Sequence, residues 1–146
     1  MGLDMYAYSV SQGGAQDGEK IEIAYWRKHN RLHGWMEKLW TRKGKPNESI
    51  SLQENCLIHQ SPASFNCIPV ELTLSDLEQL EAEVVNQSLP ETEGMFFGGD
   101  SFKYKNDDGI AYPKGDYFHK ETDVKFIQDA RKEIFEGKKV YYNSWW

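Results

Sequence analysis

The sequence has few cysteines and no long apolar run. It contains two cysteines, Cys56 and Cys67, which are eleven positions apart and lack CxxC spacing. That pattern fits neither a zinc ribbon nor a disulfide framework, so we expect reduced thiols in a cytoplasmic protein. No stretch approaches about 18 consecutive apolar residues, and the N-terminus lacks a basic segment. Neither a membrane span nor a secretory signal is therefore predicted.

Positive charge is also in deficit. There are 17 Lys and Arg residues against 23 Asp and Glu, and the net charge is −6. This balance disfavours sequence-independent binding to nucleic acid, because such binding depends on neutralising phosphates. One stretch, residues 21–40, departs from the average and collects three tryptophans with several Arg, Lys and His residues. Side chains with flat rings and hydrogen-bond donors are suited to a segment that contributes both to the core and to a binding site.

The composition predicts one folded domain. Hydrophobic residues make up 39% of the chain and aromatic residues 14%, which supplies a core from a few large side chains. A chain of this length buries roughly 68–70% of its unfolded surface on folding. No internal repeat or low-complexity linker divides residues 1–146. We therefore expect a single α+β domain with an antiparallel or mixed sheet and about three helices.

Residue periodicity places these elements along the chain. Strands are predicted over 3–10 and 21–26 as a hairpin, and over 138–146 at the end of the chain. Asn30 is expected to cap a first helix, Thr73 a second helix over 74–87, and residue 122 or 123 to begin a third that Gly137 ends. Weaker patterns predict strands over 55–59 and 95–104 and a turn over 106–109. The residues expected on the buried helix faces are Leu32, Trp35, Met36, Leu39 and Trp40, then Leu74, Leu77, Leu80, Val84 and Val85, then Val124, Ile127, Ala130, Ile134 and Phe135.

Four motifs in a fixed order resemble those of a known family. They are GLDMY at 2–6, AYWRKHNRLHGW at 24–35, MFFGGDSFKY at 95–104 and VYYNSW at 140–145. Together they resemble a family of small phage and prophage proteins, which implies a short protein of the host cytoplasm without an agreed biochemical role. Some members carry the label phosphoglycerate kinase. That label does not fit this chain, because such kinases have two domains and a far longer sequence, and no glycine-rich phosphate loop precedes a helix here.

The cationic, aromatic segment supplies most of the candidate ligand-binding residues. Arg27, Asn30 and His33 recur at helical spacing and share a face if the helix begins early. Trp26 and Arg27 are expected to open into a shared cleft, in which the indole and the guanidinium stack on a base or sugar. Arg27 is also a partner for Asp4 on the neighbouring strand. A solvated helix face and a strand-edge ion pair are the alternatives. The predicted ligand-binding residues are Trp26, Arg27, Lys28, Asn30, His33 and Asp4.

Motifs for catalysis or metal binding are weak. His29 and His33 are four residues apart, but no HExxH glutamate accompanies them, and nothing fixes a third ligand. Either cysteine could be paired with His59, yet the chain has no GxSxG elbow and no evident third group. We therefore predict no catalytic residue, no metal and no cofactor.

Three functions are consistent with these features. The leading hypothesis is a phage-type, non-catalytic binding protein that captures an anionic, ring-containing, nucleotide-like small molecule to counter a host defence. The first alternative is a protein-binding inhibitor of a host enzyme, in which the acidic residues Glu78, Glu81, Glu83, Glu91 and Glu93 imitate nucleic acid. The second is a small phosphoester hydrolase with His33 or His119 as acid or base.

The end of the chain predicts self-association. Strand alternation directs Val140, Tyr142 and Ser144 to one face, and Tyr141, Asn143 and Trp145 to the other. One face is therefore aromatic and either partly exposed or covered by a second subunit. We expect a homo-oligomer formed through this C-terminal strand, and neither a membrane nor a nucleic acid as partner.

Overall fold

The computed structural model describes residues 2–11, 19–47, 65–92, 101–102 and 117–146. These ranges contain four strands and three helices in the order β1 (Asp4–Val10), β2 (Lys20–Arg27), α1 (Asn30–Arg42), β3 (Val70–Leu72), α2 (Leu74–Val85), α3 (Lys120–Phe135) and β4 (Lys139–Trp145). The predicted α+β class is confirmed. The expected strand over 55–59, the turn over 106–109 and most of the strand over 95–104 lie outside the described residues. None of the helices in the described ranges is long and apolar enough to cross a membrane.

The four strands form one antiparallel sheet in the order β2-β1-β4-β3. β1 and β2 pair along their length as the predicted hairpin, with a register shift between Ala7 and Tyr8. β4 lies between β1 and β3, and it pairs with β1 along its whole length and with β3 at Val140–Tyr142. Among the described strands, β2 lies at an edge of the sheet.

One face of the sheet, here called the inner face, packs against the helices. Its buried residues belong to the same apolar cluster as the buried residues of all three helices. Three buried residues of the opposite, outer face form a separate cluster that contains no helix residue: Tyr8, Val10 and Tyr141. The buried residues of the inner face include Met5, Ala7, Trp26, Val140 and Tyr142. Helices on one face leave the other as the side on which a sheet can meet water or a partner.

Helix α1 begins differently from the prediction. His29 is the N-cap, no side chain caps the helix, and Asn30 is the first helical residue. The side-chain oxygen of Asn30 accepts a hydrogen bond from the backbone N–H of Ser101 at 3.0 Å. The prediction that Asn30 caps α1 is therefore wrong, because a contact with a residue far along the chain uses that oxygen. The five apolar residues expected on the buried face of α1 are all buried.

The other two helices confirm the predicted end signals and part of the predicted faces. At α2, the side chains of Thr73 and Asp76 form a capping box. At α3, the helix begins at Lys120, slightly before the predicted start, and Gly137 has the positive φ of +89° expected after a helix. Four residues expected to be buried on α2 and α3 are exposed instead: Leu74, Val85, Val124 and Phe135.

Cys67 contradicts the expectation of reduced thiols. Its side chain is buried, and its sulfur is disulfide-bonded. The chain has one other cysteine, Cys56, which lies outside the described residues. A disulfide was not predicted from the sequence, because the spacing of its two cysteines matches none of the common frameworks.

Candidate functional site

The outer face of the sheet brings charged and aromatic side chains together in two neighbouring rows. In the first row, Asp4 is paired with Arg27 of β2 on one side and with Trp145 of β4 on the other. In the second row, Tyr6 is paired with Tyr25 and Asn143. Cross-strand partners on one face have Cβ atoms about 4.5–5.5 Å apart, so each row is a set of contacting neighbours. We call these residues the outer-face site: Asp4, Tyr6, Tyr25, Arg27, Asn143 and Trp145.

The Asp4 carboxylate lies at the centre of the polar contacts on this face. Its Oδ1 accepts a 2.7 Å hydrogen bond from the Tyr25 hydroxyl, and Arg27 Nη1 lies 3.7 Å from the same oxygen. This confirms the predicted pairing of Asp4 with Arg27. The hydrogen bond to Asp4 is the main reason that the pKa of Tyr25 is raised. The Tyr6 and Tyr25 rings pack with their centroids 5.3 Å apart.

Three side chains of the outer-face site are open to solvent. Tyr25 is 46% exposed, Trp145 is 51% exposed, and the Arg27 side chain is 56% exposed. Exposed aromatic rings offer surfaces for stacking, and a guanidinium can bind a phosphate or carboxylate in a bidentate manner. The Asp4 carboxylate can accept hydrogen bonds from ligand hydroxyls, as acidic residues do from ribose in dinucleotide sites. The site therefore combines exposed aromatic rings, a cation and a hydrogen-bond acceptor on one surface.

Lys28 adds a second cation beside this site. It is exposed and has a φ of 56°, in the left-handed region that few residues other than glycine adopt. Its backbone N–H donates a 2.8 Å hydrogen bond to the carbonyl of Leu3, which holds the end of β2 against the start of β1. Gly2 lies close by, since a Cβ added there would be 2.9 Å from Lys28 Cε and 3.3 Å from Arg27 Nη2.

Trp26 lies on the opposite side of the sheet from Arg27. It is 1% exposed, its ring makes an edge contact with Phe126 at 5.1 Å, and its Nε1 donates a 2.7 Å hydrogen bond to Asp123 Oδ1. Successive residues of a strand point to opposite faces, so Trp26 and Arg27 cannot line one cleft from within β2. The predicted shared cleft is therefore wrong, and Trp26 presents no ring surface to solvent.

Asn30 and His33 are likewise in the core. His33 is completely buried, its Nδ1 is hydrogen-bonded to the Tyr142 hydroxyl at 2.7 Å, and burial lowers its pKa to about 3. Arg27, Asn30 and His33 do not share a helix face, because α1 begins at Asn30 and Arg27 belongs to β2. Of the six predicted residues, the structure thus brings Asp4, Arg27 and Lys28 together at the outer face and places the other three inside.

A second polar cluster, which the sequence did not predict, lies buried where α1 and α3 begin. Ser101 Oγ is 2.9 Å from His29 Nδ1, and His29 Nε2 is 2.7 Å from Asp123 Oδ2. The Tyr117 hydroxyl also donates to Asp123 Oδ2. We call Ser101, His29 and Asp123 the buried triad. Its members are separated by 72 and 94 positions in sequence, so no local spacing could have identified it.

Burial perturbs the ionisable groups around the buried triad. It is the main cause of the raised pKa of Tyr117, which the adjacent Asp123 carboxylate raises further. Burial and the neighbouring His29 lower the pKa of His119 to about 4. The rings of His29 and His119 are stacked with centroids 4.4 Å apart. Perturbed ionisation of this kind is found both at functional sites and in structural networks.

A groove of about 950 Å³ lies between α1 and α2. Two cations and three carboxylates are among the residues that line it: Lys38, Arg42, Glu37, Glu83 and Glu91. This excess of carboxylates makes the groove a poorer site for an anion than the end of the outer face where Arg27 and Lys28 accompany Asp4. A second carboxylate of the outer face, Glu22, is opposite Tyr8 and therefore lies farther along the strands.

In the part of the chain that the structure describes, no group of three or more His, Cys, Asp or Glu side chains has an arrangement that could hold a metal ion. His29 contacts Asp123 and Ser101, whereas His33 contacts Tyr142. The two histidines that are four residues apart in sequence therefore have different partners.

Comparison with known proteins adds no assignment. No family model matches the chain. No curated protein and no solved structure is significantly similar to it.

Proposed function

We propose that the chain binds an anionic, ring-containing, nucleotide-like small molecule on the outer face of its sheet without changing it chemically. The observation that carries the proposal is the row Arg27, Asp4 and Trp145, in which an exposed guanidinium, a carboxylate and an exposed indole are aligned across three strands. The phage origin and the capture of a host defence molecule rest on the resemblance of the four sequence motifs alone.

The spacing of the row suits a ligand with a ring at one end and an anion at the other. Adjacent strands lie about 4.7–4.9 Å apart, so the backbones that carry Arg27 and Trp145 are about 10 Å apart. A ring stacked on Trp145 can direct a phosphate toward Arg27 and Lys28, while its hydroxyls reach Asp4. Tyr25 extends the apolar surface beside this path.

Isothermal titration calorimetry against a panel of mononucleotides, dinucleotides and cyclic nucleotides tests this proposal. We expect at least one member to bind, and Trp145→Ala to weaken that binding by about tenfold, because stacking on one aromatic side chain contributes about 1–3 kcal/mol. Arg27→Gln should weaken it as well and should reduce its dependence on salt.

The chain offers a matched control for each variant. Phe135→Ala removes another exposed aromatic ring, which is 77% exposed on α3, and Arg42→Gln removes a cation of the α1/α2 groove. Both controls should bind like the wild type. The absence of heat with every ligand, or loss of binding in Arg42→Gln with normal binding in Arg27→Gln, would reject the outer face as the site.

The acidic inhibitor remains a second candidate. Glu78 and Glu91 on or after α2 are exposed, but Glu81 is paired with Arg131 and Glu91 lies 3.6 Å from Arg31 Nη2. These cations reduce the negative field that a nucleic-acid mimic needs. Affinity capture from host lysate at low and high salt separates this candidate from a small-molecule binder, since a mimic should lose its partner as salt screens the charges.

The phosphoester hydrolase is less well supported than the small-molecule binder, because the two histidines proposed as its acid or base are buried. His33 is completely buried, and His119 is stacked on His29 with little exposure. Incubating the protein with any nucleotide that binds, followed by chromatography of the ligand, tests this candidate. Conversion of the nucleotide would contradict passive binding.

A further inference from the structure

The contacts of the buried triad define a proton path from Ser101 to Asp123. The carboxylate of Asp123 accepts hydrogen bonds, so its contact with His29 Nε2 is best satisfied by an N–H at that nitrogen. His29 Nδ1 is then the acceptor, and the Ser101 hydroxyl donates to it. A hydroxyl, a basic nitrogen and an orienting carboxylate thus follow one another in the order required for nucleophilic catalysis.

The start of α1 adds a donor to the same oxygen. The backbone N–H of Arg31 lies 3.4 Å from Ser101 Oγ, and Arg31 is the second residue of the helix. Amide groups in the first turn of a helix have no partner within the helix and carry partial positive charge. An amide in this position favours negative charge on Ser101 Oγ as its proton leaves.

Two more donors fix the carboxylate. Trp26 Nε1 donates to Asp123 Oδ1, and the Tyr117 hydroxyl donates to Oδ2, the oxygen that His29 also contacts. Asp123 and His29 are both fully buried. The orientation of the imidazole is therefore set by a carboxylate that cannot turn away without breaking several hydrogen bonds.

We infer that Ser101, His29 and Asp123 form a hydrolytic site for small carboxylic esters, distinct from the outer-face site and independent of the function proposed there. Ser101 Oγ forms a bond to the carbonyl carbon, and its proton passes to His29 Nδ1. The bond between the carbonyl carbon and the alkoxy oxygen then breaks, and that oxygen takes the proton from His29 and leaves as the alcohol. Water attacks the resulting acyl-serine and gives a proton to His29. The carbon–Oγ bond breaks, the acid is released, and Ser101 recovers its proton.

Burial sets the size of the substrate. Ser101 is 1% exposed, so the reaction requires a compact acyl group or a local opening that brings the hydroxyl into contact with solvent. Local openings of this kind occur in folded proteins below the free energy of global unfolding. A small electrophile is therefore the suitable probe.

The test is covalent labelling of the intact chain with phenylmethanesulfonyl fluoride. The expected reaction forms an Oγ–S bond, breaks the S–F bond, transfers the hydroxyl proton to His29 and releases fluoride. Intact-mass and peptide mass spectrometry should find one adduct on Ser101. Ser101→Ala should remove it, and Ser88→Ala, which changes an exposed serine, should retain it.

The roles of Asp123 and His29 in the reaction must be tested with a measurement that a purely structural role would leave unchanged. In folded Asp123→Asn and His29→Gln variants, labelling should be at least tenfold slower, and its rise with pH should be displaced or lost. Circular dichroism and urea unfolding identify the variants that fold. If either variant does not fold, the pH profile of labelling in the wild type replaces it, and a rate that does not increase as an imidazole loses its proton contradicts the mechanism.

Two results would overturn the inference. One is the absence of any Ser101 adduct and of p-nitrophenyl acetate hydrolysis in the folded wild type. The other is equal labelling of wild type and a folded Asp123→Asn or His29→Gln variant. Either would make the buried triad a structural network. Nucleotide calorimetry on Ser101→Ala keeps the two proposals separate, since the outer-face site should bind normally in that variant.

Discussion

Trp26 Nε1 donates a 2.7 Å hydrogen bond to Asp123 Oδ1 in the interior, which ties β2 to the first turns of α3 across 97 positions of sequence. The contact accounts for an indole N–H and one carboxylate oxygen that would otherwise be costly to bury. Trp26 therefore serves the fold at a position where its neighbours Tyr25 and Arg27 face solvent.

We expect Trp26→Phe to destabilise the protein through this lost donor. A buried acceptor left without one of its partners costs about 1–3 kcal/mol, and the smaller ring leaves a cavity beside Phe126. Urea unfolding followed by circular dichroism should show a lower midpoint. Trp145→Phe, at an exposed indole, should leave the midpoint nearly unchanged, and an equal loss in both variants would contradict this account.

Much of the fold could be predicted because its signals are local. The Thr73 and Asp76 side chains of the capping box are three residues apart, and Gly137 ends α3 at the expected place. The hairpin of β1 and β2 was predicted from two short runs rich in apolar and aromatic residues that a glycine-rich segment separates. The errors at Leu74, Val85, Val124 and Phe135 share one cause, since these residues lie at the margin of an apolar helix face or at the helix end, where packing decides burial.

The candidate site was harder to predict, for two different reasons. Trp26 and Arg27 were assigned to one cleft because the predicted strand ended at Trp26. In the structure the strand continues through Arg27, which directs the two side chains to opposite faces of the sheet. Trp145 lies in the same row as Arg27, on the far side of Asp4, and that alignment depends on the pairing of β1 with β4. The buried triad depends on contacts distant in sequence, which composition and spacing do not encode.

The free energy of unfolding should decrease in acid because His33 is buried in its neutral form. Burial lowers the pKa of His33 to about 3 from the ordinary value of 6.5, so below 6.5 the unfolded chain gains a proton that the folded chain does not. Stability is then lost as the pH falls from about 6.5 toward 3. Relative to His33→Gln, the wild type should lose about 1.4 kcal/mol per pH unit in this range.

Urea unfolding of both proteins at several pH values measures this difference. His33→Gln also loses the contact with Tyr142, and that loss should contribute an offset that changes little with pH. His119, whose pKa is lowered to about 4, is present in both proteins and contributes equally. Parallel curves of unfolding free energy against pH would show that His33 is not held neutral in the folded state.

Lys28 allows stability and ligand binding to be separated. Its φ of 56° is a conformation that costs residues other than glycine about 1–2 kcal/mol, whereas glycine adopts it readily but loses more freedom on folding. Lys28→Gly should therefore keep or slightly raise the free energy of unfolding. Because it removes a cation beside Arg27, it should weaken binding of an anionic ligand.

Lys28→Gln is the matched variant, since it removes the charge but keeps the left-handed strain. Both variants should show reduced affinity for the ligand in calorimetry. In urea, Lys28→Gly should unfold at a higher concentration than Lys28→Gln. If the two variants unfold at the same urea concentration, the conformation of Lys28 does not strain the chain. If both variants bind the ligand like the wild type, Lys28 does not contribute to ligand binding.

Self-association and ligand binding should compete if both use the outer face. β4 pairs with β1 along its length and with β3 at Val140–Tyr142, so we expect the C-terminal strand to join two subunits through its outward side chains, of which Trp145 is the most exposed aromatic residue. We expect sedimentation velocity to show a dimer. Trp145→Ala should weaken this dimer, and a bound nucleotide should dissociate it, because an indole buried in an interface cannot also stack on a ligand. Phe135→Ala should leave the dimer unchanged. A dimer that persists unaltered in Trp145→Ala would place the contact elsewhere. The next surface to vary is then β2, an edge strand among those that the structure describes, since an edge strand can pair with a second chain.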